Sequence, residues 1–466
     1  MMAPHARIAA TSRLDRALIA VGGYLARNQT TIRRVQWTVV STYGALLIIP
    51  AFRPLPDSAA FIWNDFTRFA QFVFWGIWWP GVILLTVLFG RVWCGLLCPE
   101  GFLSETASTR GFGRALPRWL RWGGWPTAAF LATTIYGQLT SVYQYPRPAL
   151  LILGGSTLAA ILTGYLYGRN KRVWCRYLCP VGGVFGLLAK MAPFQFEVDP
   201  AAWKRSQERL EKPPAVHCAP MLPLRTMKGS SACQMCGRCN AFRGAIQLVF
   251  RSPSREIVDI AGLEPKPAET VLILFGLAGV AIACFEWNSS GAFASLRTLM
   301  VQLALGLDML EPLSTSLPPW ILTNYPERND VMLLLDAVAL MLFVGGFAAC
   351  IAAVLSMLVG AANVLAGGGV AGFHHLVQAL LPVVSCALFT GLLALPVEQL
   401  RMDGVRLLFF DDLKLMLLIG SVGWSGYLSF KIARRRKTSL PRVIGSTGCL
   451  GVAAIVVAIA STGVVA

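Results

Sequence analysis

Long apolar runs, separated by short polar stretches, extend along most of the chain. A helix needs about 20 mostly apolar residues to cross a bilayer, so each run predicts one membrane span. The nine predicted spans cover residues 36–52, 70–90, 124–145, 148–168, 269–288, 331–359, 373–397, 410–430 and 443–464. Because only helices or closed barrels can cross hydrocarbon, the pattern predicts an all-α polytopic membrane protein with about nine transmembrane helices.

Two segments depart from this alternation. Residues 290–311 are apolar but contain Arg297 and Asp308, so we predict an interfacial or re-entrant segment there. Residues 194–267 form the one sizeable polar segment. The predicted regions are a basic N-terminus (1–35), a membrane region that contains a repeat (36–193), the polar segment (194–267), a span with an outer interfacial segment (268–330) and a C-terminal membrane bundle of unknown role (331–466).

The distribution of charge predicts the orientation in the membrane. Charged residues make up 14% of the chain, well below the roughly 25% typical of soluble domains. The net charge is +18, but the basic residues cluster in short loops on one side of the predicted spans, for example at 169–176 and 431–442. The positive-inside rule therefore predicts a bacterial cytoplasmic (inner) membrane protein with a cytoplasmic N-terminus and polar segment, and no nucleic-acid partner. We expect no cleavable signal peptide, because the first apolar run begins only near Gln36.

A ten-residue motif occurs twice. Residues 90–99 read Gly-Arg-Val-Trp-Cys-Gly-Leu-Leu-Cys-Pro, and residues 171–180, 81 positions later, read Lys-Arg-Val-Trp-Cys-Arg-Tyr-Leu-Cys-Pro. Seven of the ten positions match, and each copy follows a pair of predicted spans. The chain therefore contains two parallel two-helix repeats, as some transporters do.

Each copy carries a pair of cysteines. The four residues are Cys94, Cys98, Cys175 and Cys179. Positions i and i+4 of a helical turn share one face, and a proline after the second cysteine marks a helix break or start. We expect Arg91, Arg172 and Arg176 to lower the pKa of these thiols. Four thiolates are enough for one iron–sulfur cluster; the alternatives are a soft metal such as Cu(I) and a redox dithiol.

A second cysteine motif lies in the polar segment. Cys233, Cys236 and Cys239 have the C-x2-C-x2-C spacing of a bacterial [4Fe–4S] site, with a zinc knuckle as the alternative. The usual fourth cysteine of such motifs is replaced by Arg243. We therefore predict Cys218 as the fourth ligand, with His217 as the alternative. The chain has 12 cysteines, and the remaining Cys284, Cys350, Cys386 and Cys449 lie in apolar runs, where cysteine is usually a small apolar side chain.

The twin WCxxxCP motifs on paired spans, followed by CxxCxxC, resemble the NapH/NosR/RdxA-type membrane-bound 4Fe–4S ferredoxins, often called polyferredoxin-like proteins. The resemblance covers about residues 36–250. It implies quinol-linked electron transfer, or a reductase-like role in metalloenzyme maturation, with [4Fe–4S] clusters on the cytoplasmic side. The resemblance assigns the cluster-binding role of the family's cysteines to the four repeat cysteines and to Cys233, Cys236 and Cys239. Members commonly have two full ferredoxin motifs, whereas this chain has one without its terminal Cys-Pro.

These observations lead to one preferred function and two alternatives. The preferred function is membrane-bound electron transfer between the quinone pool and a redox protein partner, through one [4Fe–4S] cluster in the polar segment and a second centre at the twin pairs. The alternatives are a metalloenzyme-maturation factor or copper reductase that uses the CxxxCP pairs, and a transporter or scaffold with a regulatory cluster. The chain has four histidines, and His374 and His375 are adjacent, so we expect no haem. The further expected partners are membrane lipid and quinone.

Overall fold

The computed structural model describes residues 12–57, 59–209, 216–436 and 438–463. Its regular secondary structure is almost entirely helical. Within these ranges, eight helices are long and apolar enough to cross a membrane, and they are Gln29–Phe52, Phe66–Phe89, Pro146–Tyr167, Pro267–Ser289, Leu334–Leu365, Val370–Met402, Phe410–Arg434 and Leu440–Ala460. The predicted class, an all-α multi-pass membrane protein, is confirmed.

The predicted span 124–145 is shorter in the structure. Its helix, Trp125–Leu139, has 15 residues, which is about 22 Å at 1.5 Å per residue and less than the hydrocarbon thickness of about 30 Å. The helix ends because the sequence turns polar and Ser141 adopts a left-handed φ of 48°. The next helix starts at Pro146, where the fixed φ of proline suits a first helical position.

The segment predicted to be interfacial or re-entrant contains a single helix, Gly291–Gly306, of 16 residues. Ser290 caps its first turn by accepting a hydrogen bond from the Phe293 amide at 3.0 Å. The helix ends before Asp308, which has a φ of 56°. Arg297, one of the two residues that interrupt the apolar run, pairs with Asp336 at 2.6 Å.

The chain divides into two compact units. The first comprises the described residues within 1–44, 82–126 and 156–260. Its short helices are Arg13–Arg27, Val92–Leu96, Pro99–Ser108, Val173–Tyr177, Gly182–Leu188 and Pro200–Arg209. Strands Phe194–Val198 and Ile246–Phe250 pair antiparallel, with Phe194 opposite Phe250. All eight candidate cysteines belong to this unit.

The polar part of the first unit has its own hydrophobic core. Leu18, Phe196, Trp203 and Ile246 are buried together with Cys233 and Cys239. Leu18 comes from helix Arg13–Arg27, whose first turn is closed by a reciprocal capping box between Ser12 and Asp15. The cysteine motif of the polar segment is therefore built into a packed core.

The second unit comprises 45–81, 127–155 and the described residues from 261 onward. Helix Leu334–Leu365 is central to it, because Leu340, Val344 and Ala348 are buried against residues of Pro267–Ser289. Gly279 lets the two helices approach closely, since a Cβ there would lie 2.7 Å from the Cα of Ala348. The remaining elements are helix Glu311–Ser314 and the paired strands Asn324–Tyr325 and Asp330–Val331.

Candidate metal centres

The first copy of the repeat folds as two short helices that meet at a cysteine. Helix Val92–Leu96 contains Cys94 and stops at Leu97. Cys98 is the N-cap of Pro99–Ser108, and its Sγ accepts a hydrogen bond from the Gly101 amide at 3.4 Å. The proline therefore starts a new helix, as predicted. The two cysteines do not share one continuous helical turn, because the backbone leaves the helix between them.

The second copy has the same backbone up to its second cysteine, but its next helix, Gly182–Leu188, begins two residues after Pro180 rather than at the proline. Helix Val173–Tyr177 stops at Leu178, whose φ and ψ are −121° and −23°, against −126° and −22° at Leu97. In both copies the carbonyl of the motif tryptophan accepts two hydrogen bonds, at distances of 2.8–3.0 Å. The donors are the backbone amides of the second cysteine and of the leucine just before it. The sequence repeat is thus a repeat of local structure.

The two copies bring their cysteines together. Cys98 interacts electrostatically with Cys175 and Cys94, and Cys179 interacts with all three. The approach is close at Gly101, where a Cβ would lie 3.3 Å from the Sγ of Cys175. Four thiols from two separate stretches of the chain therefore lie close together in the first unit.

The expected effect of the arginines on these thiols is outweighed by burial. Burial raises the pKa of Cys175 to about 11, although Arg172 and Arg91 act to lower it. Arg176, which was expected to act similarly, is exposed. Arg172 and Arg91 therefore act on the Cys175 pKa in the predicted direction, but the opposing effect of burial is larger. A metal that coordinates such a buried thiol would stabilise its deprotonated form.

The second cysteine group surrounds one cavity. Cys218, Cys233, Cys236 and Cys239 all line a space of about 350 Å³, including the part that opens to solvent. The loop can wrap around this space because Met235 and Gly237 have φ values of 54° and 74°. His217, the alternative fourth ligand, is exposed and does not line the cavity.

The thiols of this group are also shielded from water. Burial raises the pKa of Cys233 to about 12, and it raises those of Cys239 and Cys218 as well. Arg243, at the position of the missing cysteine, lies over the rings of Trp203 and Phe242 at 5.3 and 5.6 Å. It closes the end of the loop through cation–π contacts.

The donor sets fit iron–sulfur ligation. Among the residues that the structure describes, no group of three or more His, Cys, Asp or Glu side chains is arranged to hold a single metal ion. Each cysteine group nevertheless supplies four thiols, the usual ligand number of a [4Fe–4S] cluster. In addition, the Nε of Arg91 is buried without a hydrogen-bond acceptor in the described structure, next to Cys94. A sulfide or thiolate sulfur would satisfy this donor.

Two buried ionic networks support the cysteine loops, and sequence reasoning did not identify them. Arg251 pairs with Glu256 at 2.7 Å. Glu256 accepts hydrogen bonds from the Ser230 amide at 2.8 Å and the Ser231 amide at 3.2 Å, which fixes the chain just before Cys233. The second network joins Glu105 to Arg172 and Arg238. No local pattern marks Glu105, because its partners are 67 and 133 residues away.

Two segments of the chain match the family of the 4Fe-4S binding domain, at residues 71–119 and 150–198. These segments contain the two copies of the repeat. Among curated proteins, the chain is 30% identical over 138 residues to YccM of Escherichia coli, which is named as an electron transport protein; the match covers 24% of this chain and 38% of YccM.

Two further relatives are methylamine utilization ferredoxin-type proteins called MauN. The protein of Paracoccus denitrificans is 28% identical over 115 residues, which cover 22% of this chain and 40% of the relative. The protein of Methylorubrum extorquens is 28% identical over 122 residues, with 23% and 42% covered. The matches thus span about two-fifths of the length of these relatives. No solved structure matches the chain.

Proposed function

We propose that this chain, a membrane ferredoxin-like protein with two 4Fe-4S binding-domain segments, carries electrons between the quinone pool and a redox protein partner. The observation that carries the proposal is the gathering of eight cysteines, from stretches far apart in sequence, into two groups of four within one unit. A [4Fe–4S] cluster, when bound, supplies a one-electron carrier.

The chain's own residues define two sites for this role. Cys94, Cys98, Cys175 and Cys179 would hold one cluster, and Cys218, Cys233, Cys236 and Cys239 would hold the other. Burial limits the access of water to both groups, and exposure to water is one of the factors that set the potential of such centres. The supporting loops are fixed by buried ion pairs, so the ligands do not have to be ordered when the cluster binds.

Because the chain spans the membrane, a quinol dissolved in the bilayer is a suitable electron donor. Oxidation of a quinol releases two electrons and two protons, and two one-electron sites can take the electrons one at a time. The protons pass to water, and the electrons pass to the redox partner. By the positive-inside rule, both cysteine groups face the cytoplasm of a bacterial inner membrane.

The test is the metal content of the full chain, purified in detergent without oxygen. We expect about eight iron atoms and eight acid-labile sulfides per chain, four of each for every cluster. Cys94→Ala and Cys236→Ala should each lose about half, together with one of two EPR signals of the reduced protein. Cys350→Ala is the matched control, because this exposed cysteine lies in helix Leu334–Leu365 and should leave the iron content unchanged.

The other outcomes are distinct. A chain without iron would overturn the proposal. Stoichiometric copper that disappears in Cys94→Ala would favour the copper-reductase or maturation role. If dithionite reduces the clusters but a short-chain ubiquinol does not, the link to quinone is wrong and the electron-carrier role remains.

A further inference from the structure

Besides its cysteines, each copy of the repeat contains a buried arginine. Arg91 and Arg172 occupy the same place in the two copies, three residues before the first cysteine. Both are buried, with only 7% and 1% of their surface exposed. A buried guanidinium is costly unless it is well paired, so two of them at equivalent positions call for a specific role.

Arg172 connects the first copy of the repeat to the CxxCxxC loop. Its Nη1 donates to the carbonyl of Cys94 at 2.5 Å and to Oε1 of Gln234 at 3.1 Å, and its Nη2 donates to the carbonyl of Gly95 at 3.3 Å. Its Nε pairs with Glu105 at 2.7 Å. Glu105 also binds Arg238 of the same loop.

Arg91 makes the equivalent connection with fewer contacts. Its Nη1 donates to the carbonyl of Ser231 at 3.1 Å, just before the CxxCxxC loop. Its guanidinium also interacts electrostatically with the Cys94 side chain. Its Nε is the buried donor that has no acceptor in the described structure.

The loops that carry the two cysteine groups are in direct contact where these arginines lie. A Cβ at Gly95 would collide with the carbonyl oxygen of Gln234 and would lie 2.9 Å from the amide nitrogen of Cys236. Arg172 interacts electrostatically with Cys175 of one group and Cys236 of the other. Arg91 interacts with Cys94 and likewise with Cys233. Each arginine therefore faces both groups.

We propose that Arg91 and Arg172 form a shared cationic bridge that raises the reduction potentials of both iron–sulfur sites and couples them to each other. This inference rests on the proposed function, because it presupposes a cluster at each group. Reduction adds one negative charge to a site, and a fixed positive charge in a low-dielectric interior stabilises that reduced state. An electron that moves between the sites oxidises one by one electron and reduces the other by one, without proton transfer or bond change. The arginines themselves are not oxidised or reduced, and each acts only through its positive charge on the sites that it faces.

The experiment is a potentiometric titration of the full protein, followed by EPR, for Arg172→Gln, Arg172→Lys, Arg91→Gln and a control. The control is Arg118→Gln, because Arg118 is an exposed arginine of the same unit. In Arg172→Gln we expect each reduction equilibrium to become at least tenfold less favourable. Both midpoint potentials should therefore fall by about 59 mV or more for one electron. Arg172→Lys should recover most of the shift, and Arg118→Gln should show none.

A purely structural role for Arg172 gives a different result. In that case Arg172→Lys, which keeps the charge but not the planar fork of donors, would disturb the protein as much as Arg172→Gln, and this would overturn the bridge. A shift of one potential alone would overturn it too. If Arg172→Gln does not retain iron, Arg91→Gln gives the same test with fewer bonds lost. Failure of the proposed function is recognised separately, because the unsubstituted protein would then lack one or both cluster signals.

Discussion

The two units of the chain treat buried polar groups in opposite ways. In the described structure the first unit buries five charged side chains, which are Arg91, Arg172, Lys190, Arg251 and Glu256. The buried polar side chains of the second unit are all uncharged in the same ranges. Burial of charge is expensive unless partners compensate it. The difference indicates that buried ion pairs help to order the first unit, whereas the second unit is held together mainly by helix packing.

The second unit packs through small residues. Ser421, Ser425 and Ser429 recur every four positions on one face of helix Phe410–Arg434 and are buried there. Helix Leu440–Ala460 packs against this helix and buries Ser446. Small side chains at this spacing let helices approach closely in a membrane.

The largest effect that separates the units is expected from their cysteines. Cys218→Ala in the first unit should remove about half of the bound iron, because a four-thiolate site loses one ligand. Cys284→Ala in the second unit should leave the iron content unchanged, although Cys284, at 3% exposure, is more deeply buried than the half-buried Cys218. Iron analysis of anaerobic protein measures both. Full iron in Cys218→Ala, together with loss in His217→Ala, would reassign the fourth ligand.

The second effect concerns ion pairs. Arg251→Leu breaks a pair whose side chains are 0% and 3% exposed, and it should lower the free energy of unfolding by about 3–5 kcal/mol, since Glu256 is left buried and unpaired. Arg297→Leu removes a pair in the second unit whose arginine is 50% exposed, and it should cost about 1 kcal/mol or less. Unfolding by SDS titration in micelles measures both values. Equal costs would contradict the contrast between the units.

These networks also mark the limit of what the sequence predicts. Spans can be predicted because hydropathy is a local property, and the cysteine motifs can be recognised because neighbouring cysteines within each motif are three or four positions apart. Span 124–145 was predicted too long, since a left-handed residue at Ser141 ends the helix earlier than composition indicates. The ion pair of Arg251 and Glu256 follows from tertiary packing and has no sequence signature. The same is true of Glu105, which binds arginines 67 and 133 residues away.

A smaller effect is expected from two helical glycines. Gly95→Ala would drive a methyl group into the backbone of Gln234 and Cys236, and it should destabilise the protein by about 1–3 kcal/mol because backbone cannot yield easily. At Gly345, within helix Leu334–Leu365, a Cβ meets nothing within 4 Å. Gly345→Ala should therefore stabilise the helix by about 0.5–1 kcal/mol. The same SDS titration distinguishes the two. A neutral Gly95→Ala would mean that the cysteine groups do not touch there.

The smallest effect is a pH dependence of stability. Burial alone would raise the pKa of Glu256, but Arg251 and the Ser230 amide outweigh it, so the pKa is lowered from 4.5. The carboxylate therefore stabilises the fold fully above about pH 4.5, and this stability is lost as the pH falls through the lowered value. The difference in unfolding free energy between the unsubstituted protein and Glu256→Gln should shrink below pH 4.5. Acid loss of iron affects both proteins and cancels in this difference.

A matched control exists for this measurement. Glu398→Gln removes an exposed carboxylate, which is 59% accessible and 3.6 Å from Arg401. Its difference from the unsubstituted protein should stay flat across the same pH range. A slope as large as that of Glu256→Gln would show that the effect does not come from the buried ion pair.

The near-identical backbones at Leu97 and Leu178 have a consequence for the origin of the chain. Each copy of the motif contributes two cysteines to the group formed by Cys94, Cys98, Cys175 and Cys179. An ancestor with a single copy would have completed this set of four only by associating with a second molecule of itself. Duplication and fusion would then have turned a homodimeric half-site into one polypeptide, free to diverge on either side.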